Sequence, residues 1–129
     1  MIKVYVTKQG NFAVSTPKIK IALTILLQKE GIVSDADVSV SIVGKVKMLS
    51  LAKKYLGEDG ILHNVLSFPF IEVKEGFVDP PDNIIHLGEI AVCYPKATEE
   101  ASKEGVLIDK KVIDLVLHGA LHLLGKHHE

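Results

Sequence analysis

The sequence contains no arginine, a single cysteine and no long apolar run. With Cys93 as its only thiol, the chain cannot form an internal disulfide, and it lacks the cysteines that most structural zinc sites use. No stretch approaches the roughly 20 apolar residues that a membrane span needs. The opening residues alternate like a strand and lack the features of a signal peptide. We therefore expect a reduced, cytoplasmic protein that does not contact a membrane.

The charge balance is nearly neutral, with a net charge of −1 at pH 7. This balance does not indicate nucleic-acid binding, which usually shows a basic patch. The fifteen basic side chains, all lysine, do cluster locally, but ordinary solvated helix faces account for such clusters as well as phosphate contacts do. The clusters are Lys18 with Lys20, and Lys45, Lys47, Lys53 and Lys54. At 129 residues and 47% hydrophobic, we expect one domain spanning 1–129.

Hydrophobic periodicity predicts that strands and helices alternate along the chain. The predicted strands span about 2–7, 36–43, 63–70 and 86–93, and the predicted helices about 16–30, 46–56, 95–103 and 109–124. Pro69 indicates that the third strand reaches a sheet edge, and residues 72–83 are predicted to form a loop near the site. We expect an α+β fold, in which a single mixed sheet of about four strands packs with helices and a metal-binding helix lies near the C-terminus.

Capping residues mark the predicted helix ends. Ser15 is the expected N-cap of the first helix and Asp109 that of the last. Gly57 and Gly105 are expected to end the second and third helices. The helical spacing of Val46, Leu49, Ala52 and Leu56 predicts the second helix.

The last twelve residues hold four of the six histidines. Residues four apart on a helix are offset by about 40° and roughly 6 Å along the axis, so His118 and His122 can share an ion. Gly125 can adopt the left-handed conformation and turn the chain back toward that face. His128 can then supply a third imidazole, which gives the pattern His-x3-His-x5-His.

Three neutral nitrogen ligands with an open fourth position are typical of a catalytic zinc site rather than a structural one. His127 is an alternative third ligand, although the spacing favours His128. A buried terminal helix with satisfied histidines would explain the same residues without a metal. The metzincin proteases share the spacing but place a glutamate after the first histidine, where this chain has Gly119, so peptide hydrolysis is disfavoured.

The run from His118 to Gly125, followed by His128, resembles the His-Gly-x-Leu-His-Leu-x-Gly-Tyr-Asp-His signature of the YbeY family of metal-dependent endoribonucleases. Lys126 and His127 replace the tyrosine and aspartate of that signature. Residues 64–70 resemble the family's Asp-Val-Leu-Ser-Phe strand, and residues 87–92 resemble its Leu-Gly-Asp-Ile strand.

The resemblance implies cleavage of single-stranded RNA in 16S rRNA maturation and ribosome quality control, with the ribosome or ribosomal proteins as further partners. It assigns a zinc ion, or another divalent transition metal, to His118, His122 and His128. The family has an arginine in a Tyr-Arg-Gly stretch, and Leu56 occupies that position if the tyrosines are aligned. The nearest cations are Lys53 and Lys54, and a lysine cannot present the planar fork of a guanidinium.

The predicted mechanism is metal-assisted phosphodiester hydrolysis. A zinc ion on His118 and its partner ligands would lower the pKa of water toward about 7 and polarise a phosphoryl oxygen. Lys53 or Lys54 would offset the developing charge. Attack by the ribose 2′-hydroxyl is the alternative, and a non-catalytic, metal-stabilised RNA-binding assembly factor is the alternative function.

Other residues receive secondary predictions. Glu89 or Asp114 could orient a ligand imidazole, as carboxylates commonly do beside metal ligands. Ser67 could contact substrate or serve as a plain strand hydroxyl. His63 and His86 are expected to be structural or surface residues, with phosphate binding an alternative for His63.

Overall fold

A computed structural model describes residues 1–70 and 83–126. Within these residues the elements follow the predicted order and form an α+β fold with one four-stranded mixed sheet. The elements are β1 Ile2–Lys8, α1 Thr16–Lys29, β2 Ala36–Val43, α2 Lys45–Leu56, β3 Val65–Pro69, β4 Ile85–Cys93, α3 Tyr94–Glu104 and α4 Ile108–Leu123. The predicted loop at 72–83 lies outside the described residues except for Asn83.

The sheet has the strand order β1-β2-β4-β3. Strand β2 is parallel to both of its neighbours, and α1 supplies the crossover that the parallel pair β1–β2 requires. Strand β3 runs antiparallel to β4, ends at Pro69 and lies at an edge of the described sheet, as Pro69 indicated. Helix α4, which carries His118 and His122, packs against β3.

Side chains alternate between the two faces of the sheet. Helices α1 and α4 pack on one face, which we call the covered face. Its buried side chains include Val4, Val38, Val40, Ile42, Ile90 and Val92 from the strands and Leu23 and Val116 from the helices. The opposite face, which we call the open face, receives α2 through Met48 and Ala52, which pack with Val43, Leu66, Ala91 and Cys93.

A β-bulge interrupts the alternation in β4. Asp37 pairs with His86 and Ser39 with Glu89, so two residues of β4, Leu87 and Gly88, lie opposite one residue of β2. Gly88 has a φ of 136°, which suits glycine alone. As a result, His86 and Glu89 lie on the open face together, whereas Leu87 packs with the core of the covered face.

Most predicted helix ends are confirmed. The Ser15 hydroxyl accepts a hydrogen bond from the Lys18 backbone N–H, and Gly57 and Gly105 adopt the left-handed conformation. The prediction that Asp109 caps α4 is wrong, because Leu107 occupies the N-cap position and the helix starts at Ile108. Instead, the Asp109 carboxylate accepts a 3.1 Å hydrogen bond from the Ser15 backbone N–H and so links the starts of α1 and α4.

The apolar spacing that predicts α2 is confirmed as a helix, but not all of these residues are buried. Val46 and Leu56 are 83% and 50% exposed, and the buried side chains of this helix are Met48 and Ala52. Only part of α2 rests on the sheet, because it packs across one end of the open face. In the described part of the chain, no helix is both long and apolar enough to cross a bilayer.

Candidate active site

Helix α4 presents His118 and His122 side by side. Both residues are exposed, and the centroids of their rings lie 4.5 Å apart with an interplanar angle of 49°. The arrangement follows from their spacing of one helical turn, which places both on the same face of α4. The structure therefore brings together the two predicted ligands that it describes.

The turn after α4 also matches the prediction. Gly125 has a φ of 80°, and its N–H donates to the His122 carbonyl. The Lys126 N–H donates to the Leu121 carbonyl at 2.9 Å, which completes a Schellman motif. His127 and His128 lie outside the described residues, so the third ligand stays a prediction. Among residues 1–70 and 83–126, no three histidine, cysteine or acidic side chains form a group that could hold a metal.

The two histidines line a cleft of about 670 Å³ between α4 and the edge strand β3. One wall is formed by Asn64, Ser67 and Pro69 and the other by Asp114, His118 and His122. The apolar side of α4 is buried against the sheet through Val112, Val116 and Ala120. The helix therefore points its histidine face into a concave surface, as expected for a site that must admit a substrate.

Gly119 sets the distance between α4 and the sheet. A Cβ at this position would lie 2.8 Å from Ile90 Cγ2 and 2.9 Å from Ser67 Oγ, so only glycine fits without a shift. The Ser67 hydroxyl donates a 2.9 Å hydrogen bond to the Gly119 carbonyl. This contact gives Ser67 a structural role, and it leaves no space at position 119 for a glutamate such as the metzincins use.

Asp114 and Glu89, the two carboxylates predicted to orient a ligand imidazole, lie in different places. Asp114 lines the histidine cleft one turn before His118, and one of its oxygens accepts a 2.9 Å hydrogen bond from Lys110. Glu89 lies on the open face, where it accepts a hydrogen bond from Ser41. The structure therefore supports Asp114 over Glu89 for that role.

Lys53 and Lys54, predicted as catalytic residues, lie on α2 and do not line the histidine cleft. The Lys53 amine is 3.6 Å from Asp59, and the Lys54 amine lies over the Tyr55 ring, 5.1 Å from its centroid. The physical reason is that α2 packs on the open face, on the other side of the sheet from α4. Their catalytic role stays a prediction that this placement does not support.

The start of β3 is held by a small polar network that periodicity did not predict. The Asn64 amide donates to Glu100, which also forms an ion pair with Lys111. Burial by itself would raise the pKa of Glu100, but the hydrogen bonds from Asn64 and Lys111 outweigh it and hold that pKa below its ordinary value. The network ties α3 and α4 to the strand that forms one wall of the histidine cleft.

A second cleft, of about 640 Å³, lies on the open face. It is lined by the rings of Tyr55, Phe68, Phe70 and His86 and by the carboxylates of Asp37 and Glu89. Leu56, at the position aligned with the family arginine, also lines it. His86 Nδ1 lies 3.0 Å from Asp37, and His63 pairs with Glu58, which agrees with the structural roles expected for both histidines.

Comparison with protein families agrees with this geometry. The family model described as "Endoribonuclease YbeY" matches residues 7–129. The chain belongs to the YbeY family. Proteins with the same description in Dehalococcoides mccartyi and Thermus thermophilus are each 34% identical to it; the matches cover 90% and 88% of this chain and 72% and 76% of the respective relative.

Other comparisons support the same assignment. A YbeY relative from Caldanaerobacter subterraneus is 38% identical over 84% of this chain and 71% of its own length. The solution structure of a Thermotoga maritima protein superimposes with a TM-score of 0.61 and 27% identity, covering 98% of this chain and 75% of that one. The YbeY family and the α+β fold expected from the sequence are therefore confirmed.

Proposed function

We propose that this chain is a metal-dependent endoribonuclease that cleaves single-stranded RNA. The observation that carries the proposal is the pair of adjacent imidazoles, His118 and His122, on the wall of an open cleft. Relatives that are 34% and 38% identical to the chain over most of its length are named endoribonucleases. We extend the proposal to ribosomal RNA as substrate, with the ribosome or ribosomal proteins as partners in the cytoplasm.

A zinc ion, or another divalent transition metal, fits the donor set. The imidazoles of His118 and His122 project from successive turns of α4 with ring centroids 4.5 Å apart, close enough for one nitrogen of each to reach a common ion. His128 is the proposed third ligand. The chemistry that zinc supplies in a three-histidine site is a lowered pKa of water and polarisation of a phosphoryl oxygen.

The remaining contributions come from the chain itself. Gly119 and Ser67 hold α4 against β3, and this contact fixes the direction in which the histidines point. Asp114, within one turn of His118, is the proposed positioning residue for an imidazole N–H. The edge strand β3 and α4 bound a groove in which an RNA strand can lie with one phosphate against the histidines.

An RNA cleavage assay tests this proposal. Wild type should cut a single-stranded oligonucleotide but not the same sequence in a duplex. His122→Ala or a chelator should lower the rate at least about 100-fold, since the metal supplies both activation of water and charge stabilisation. His63→Gln is the matched control, because His63 pairs with Glu58 and does not line the histidine cleft. Elemental analysis should find one metal ion per chain in wild type, and less in His122→Ala.

Cleavage that survives both His122→Ala and the chelator would refute the proposal.

A second function has one observation in its favour: among the described lining residues of the histidine cleft there is no lysine to neutralise a phosphate. A metal-stabilised RNA-binding assembly factor does not catalyse cleavage, so it would not need such a lysine in the histidine cleft. Full metal content and tight RNA binding without any cleavage would support that function. Gly119 argues against a metalloprotease, and a peptide library assayed in parallel should show no cleavage.

A further inference from the structure

The second cleft has the composition of a nucleobase site. The rings of Tyr55 and Phe68 lie 4.7 Å apart, and those of Phe70 and His86 lie 5.0 Å apart. Tyr55 and Phe70 are each about half exposed, so part of each ring is accessible to a flat ligand. Unpaired RNA bases are commonly bound by stacking on such rings.

The acidic groups of this cleft are hydrogen-bond acceptors, whereas its hydroxyl groups and the His86 ring can also donate. Asp37 and Glu89 contribute carboxylates, and no lysine lines the cleft in the part of the chain that the structure describes. A carboxylate repels phosphate but accepts hydrogen bonds from exocyclic amino groups, as on adenine, cytosine and guanine. Uracil carries no such group. The chemistry therefore favours an amino-bearing base over uracil and over a phosphate.

The second cleft is continuous with its neighbours. It shares Ser67 and Pro69 of the edge strand β3 with the histidine cleft. On its other side it shares Tyr55 and Glu89 with a cavity of about 400 Å³ that is lined by Lys47 and Lys54. Histidines, aromatic rings and lysines thus follow one another from the edge strand β3 onto the open face. This order matches what a single strand presents, since such sites combine stacked bases with cations along the backbone.

We propose that the second cleft binds one unstacked, amino-bearing base of the RNA strand whose phosphate occupies the histidine cleft, and that Lys47 and Lys54 neutralise a phosphate further along the strand. The inference rests on the proposed function, because it takes single-stranded RNA as the ligand. It gives the exposed lysines of α2 a binding role in place of the catalytic one expected for Lys54.

Binding to a cleavage-resistant 2′-O-methyl oligonucleotide, followed by fluorescence anisotropy, tests the inference in the full chain. Replacing each base in turn by an abasic nucleotide should reveal one position at which affinity falls about tenfold, the scale of a single stacking contact. Phe70→Ala should weaken binding to the intact strand by a similar factor and should abolish the penalty at that position. Tyr5→Ala is the control, because Tyr5 is 51% exposed on the same sheet face but lines none of these clefts.

Base identity gives a second readout. With wild type, uracil at the sensitive position should bind several-fold more weakly than cytosine or adenine. Glu89→Gln should reduce this preference, because its amide can also donate to uracil. Equal affinity for all bases and for abasic strands, or an unchanged affinity in Phe70→Ala, would overturn the inference. Because binding is measured without cleavage, a base-dependent affinity in a chain that does not cut RNA would reject the nuclease proposal while retaining this site.

Discussion

The two faces of the sheet come from the same four strands, yet they differ in what covers them. On the covered face, α1 and α4 bury Val40, Ile42 and Ile90 completely. On the open face, α2 covers one end, and Tyr5, Thr7 and Glu89 remain exposed. Among the described residues, no polar or charged side chain is buried on either face. Most polar side chains of the described strands lie on the open face, among them Ser39, Ser41 and Glu89.

This difference separates stability from ligand binding. The covered face provides most of the buried apolar area and fixes the position of α4, on which both described histidines lie. The open face provides accessible rings, carboxylates and lysines, which contribute little to folding. Substitutions in the core of the covered face should therefore change the free energy of unfolding, and substitutions of the exposed residues that line the second cleft should change RNA affinity.

The largest expected effect contrasts Leu23 with Tyr5. Leu23 is 0% exposed in the core of the covered face, so Leu23→Ala should lower the free energy of unfolding by about 2–5 kcal/mol through lost burial and a cavity. Tyr5→Ala, on the open face, should change it by less than about 0.5 kcal/mol. Urea denaturation measures both values. Equal losses in the free energy of unfolding would show that the two faces contribute equally to stability, and would contradict the comparison.

Gly119→Ala should have the next largest effect. The added methyl group must displace the buried Ile90 or break the hydrogen bond from Ser67, and overpacking of this kind costs about 1–3 kcal/mol. The better helix propensity of alanine offsets about 1 kcal/mol of this cost. Metal content should also fall, because α4 moves relative to β3. Ser50→Ala, at an exposed position of α2, is the control and should be neutral or slightly stabilising.

The N-caps of α1 and α2 also differ between the two faces, with smaller expected effects on stability. Helix α1 is capped by the Ser15 hydroxyl, so Ser15→Ala should cost about 1 kcal/mol. Helix α2, on the open face, begins at Gly44 without a side-chain cap. Gly44→Ser should therefore gain a few tenths of a kcal/mol. Thermal denaturation measures the stability of both variants, with the exposed loop variant Ser34→Ala as reference. Stability changes of the same sign in Ser15→Ala and Gly44→Ser would contradict this account.

The smallest effect concerns pH. Because the pKa of Glu100 is lowered from its ordinary value of 4.5, the folded state binds this proton less readily than the unfolded chain. The resulting stabilisation, below about 1 kcal/mol, is complete above pH 4.5 and disappears as the pH falls through the folded-state pKa. Glu100→Gln should thus be less stable than wild type at pH 6 and equal to it at low pH. Glu99→Gln, at an exposed position of α3, should match wild type throughout.

Much of the fold follows from local patterns in the sequence. Alternation in residues 36–43 and the spacing of apolar residues in α1 are properties of short segments, and the structure confirms both. The pairing of His118 with His122 was equally predictable, because it depends only on the pitch of one helix. Gly125 was recognisable as the residue that ends α4 for the same reason, since it directly follows the last apolar turn.

What the sequence did not predict depends on contacts between distant segments. Lys53 and Lys54 were expected near the histidines, but their position depends on which face of the sheet α2 covers. The bulge at Gly88 puts Glu89 beside His86 on the open face, and a regular strand would place these two on opposite faces. The close fit of Gly119 to Ile90 joins α4 to β4, and a glycine in a helix gives no indication of its neighbour.

Cys93 makes the core of this protein open to chemical measurement. Its thiol is fully buried beneath α2, and burial raises its pKa, so an alkylating reagent reaches the reactive thiolate only when the structure opens. As the sole cysteine of the chain, it gives a single labelling rate without any engineered substitution. That rate reports how often the structure opens around Cys93.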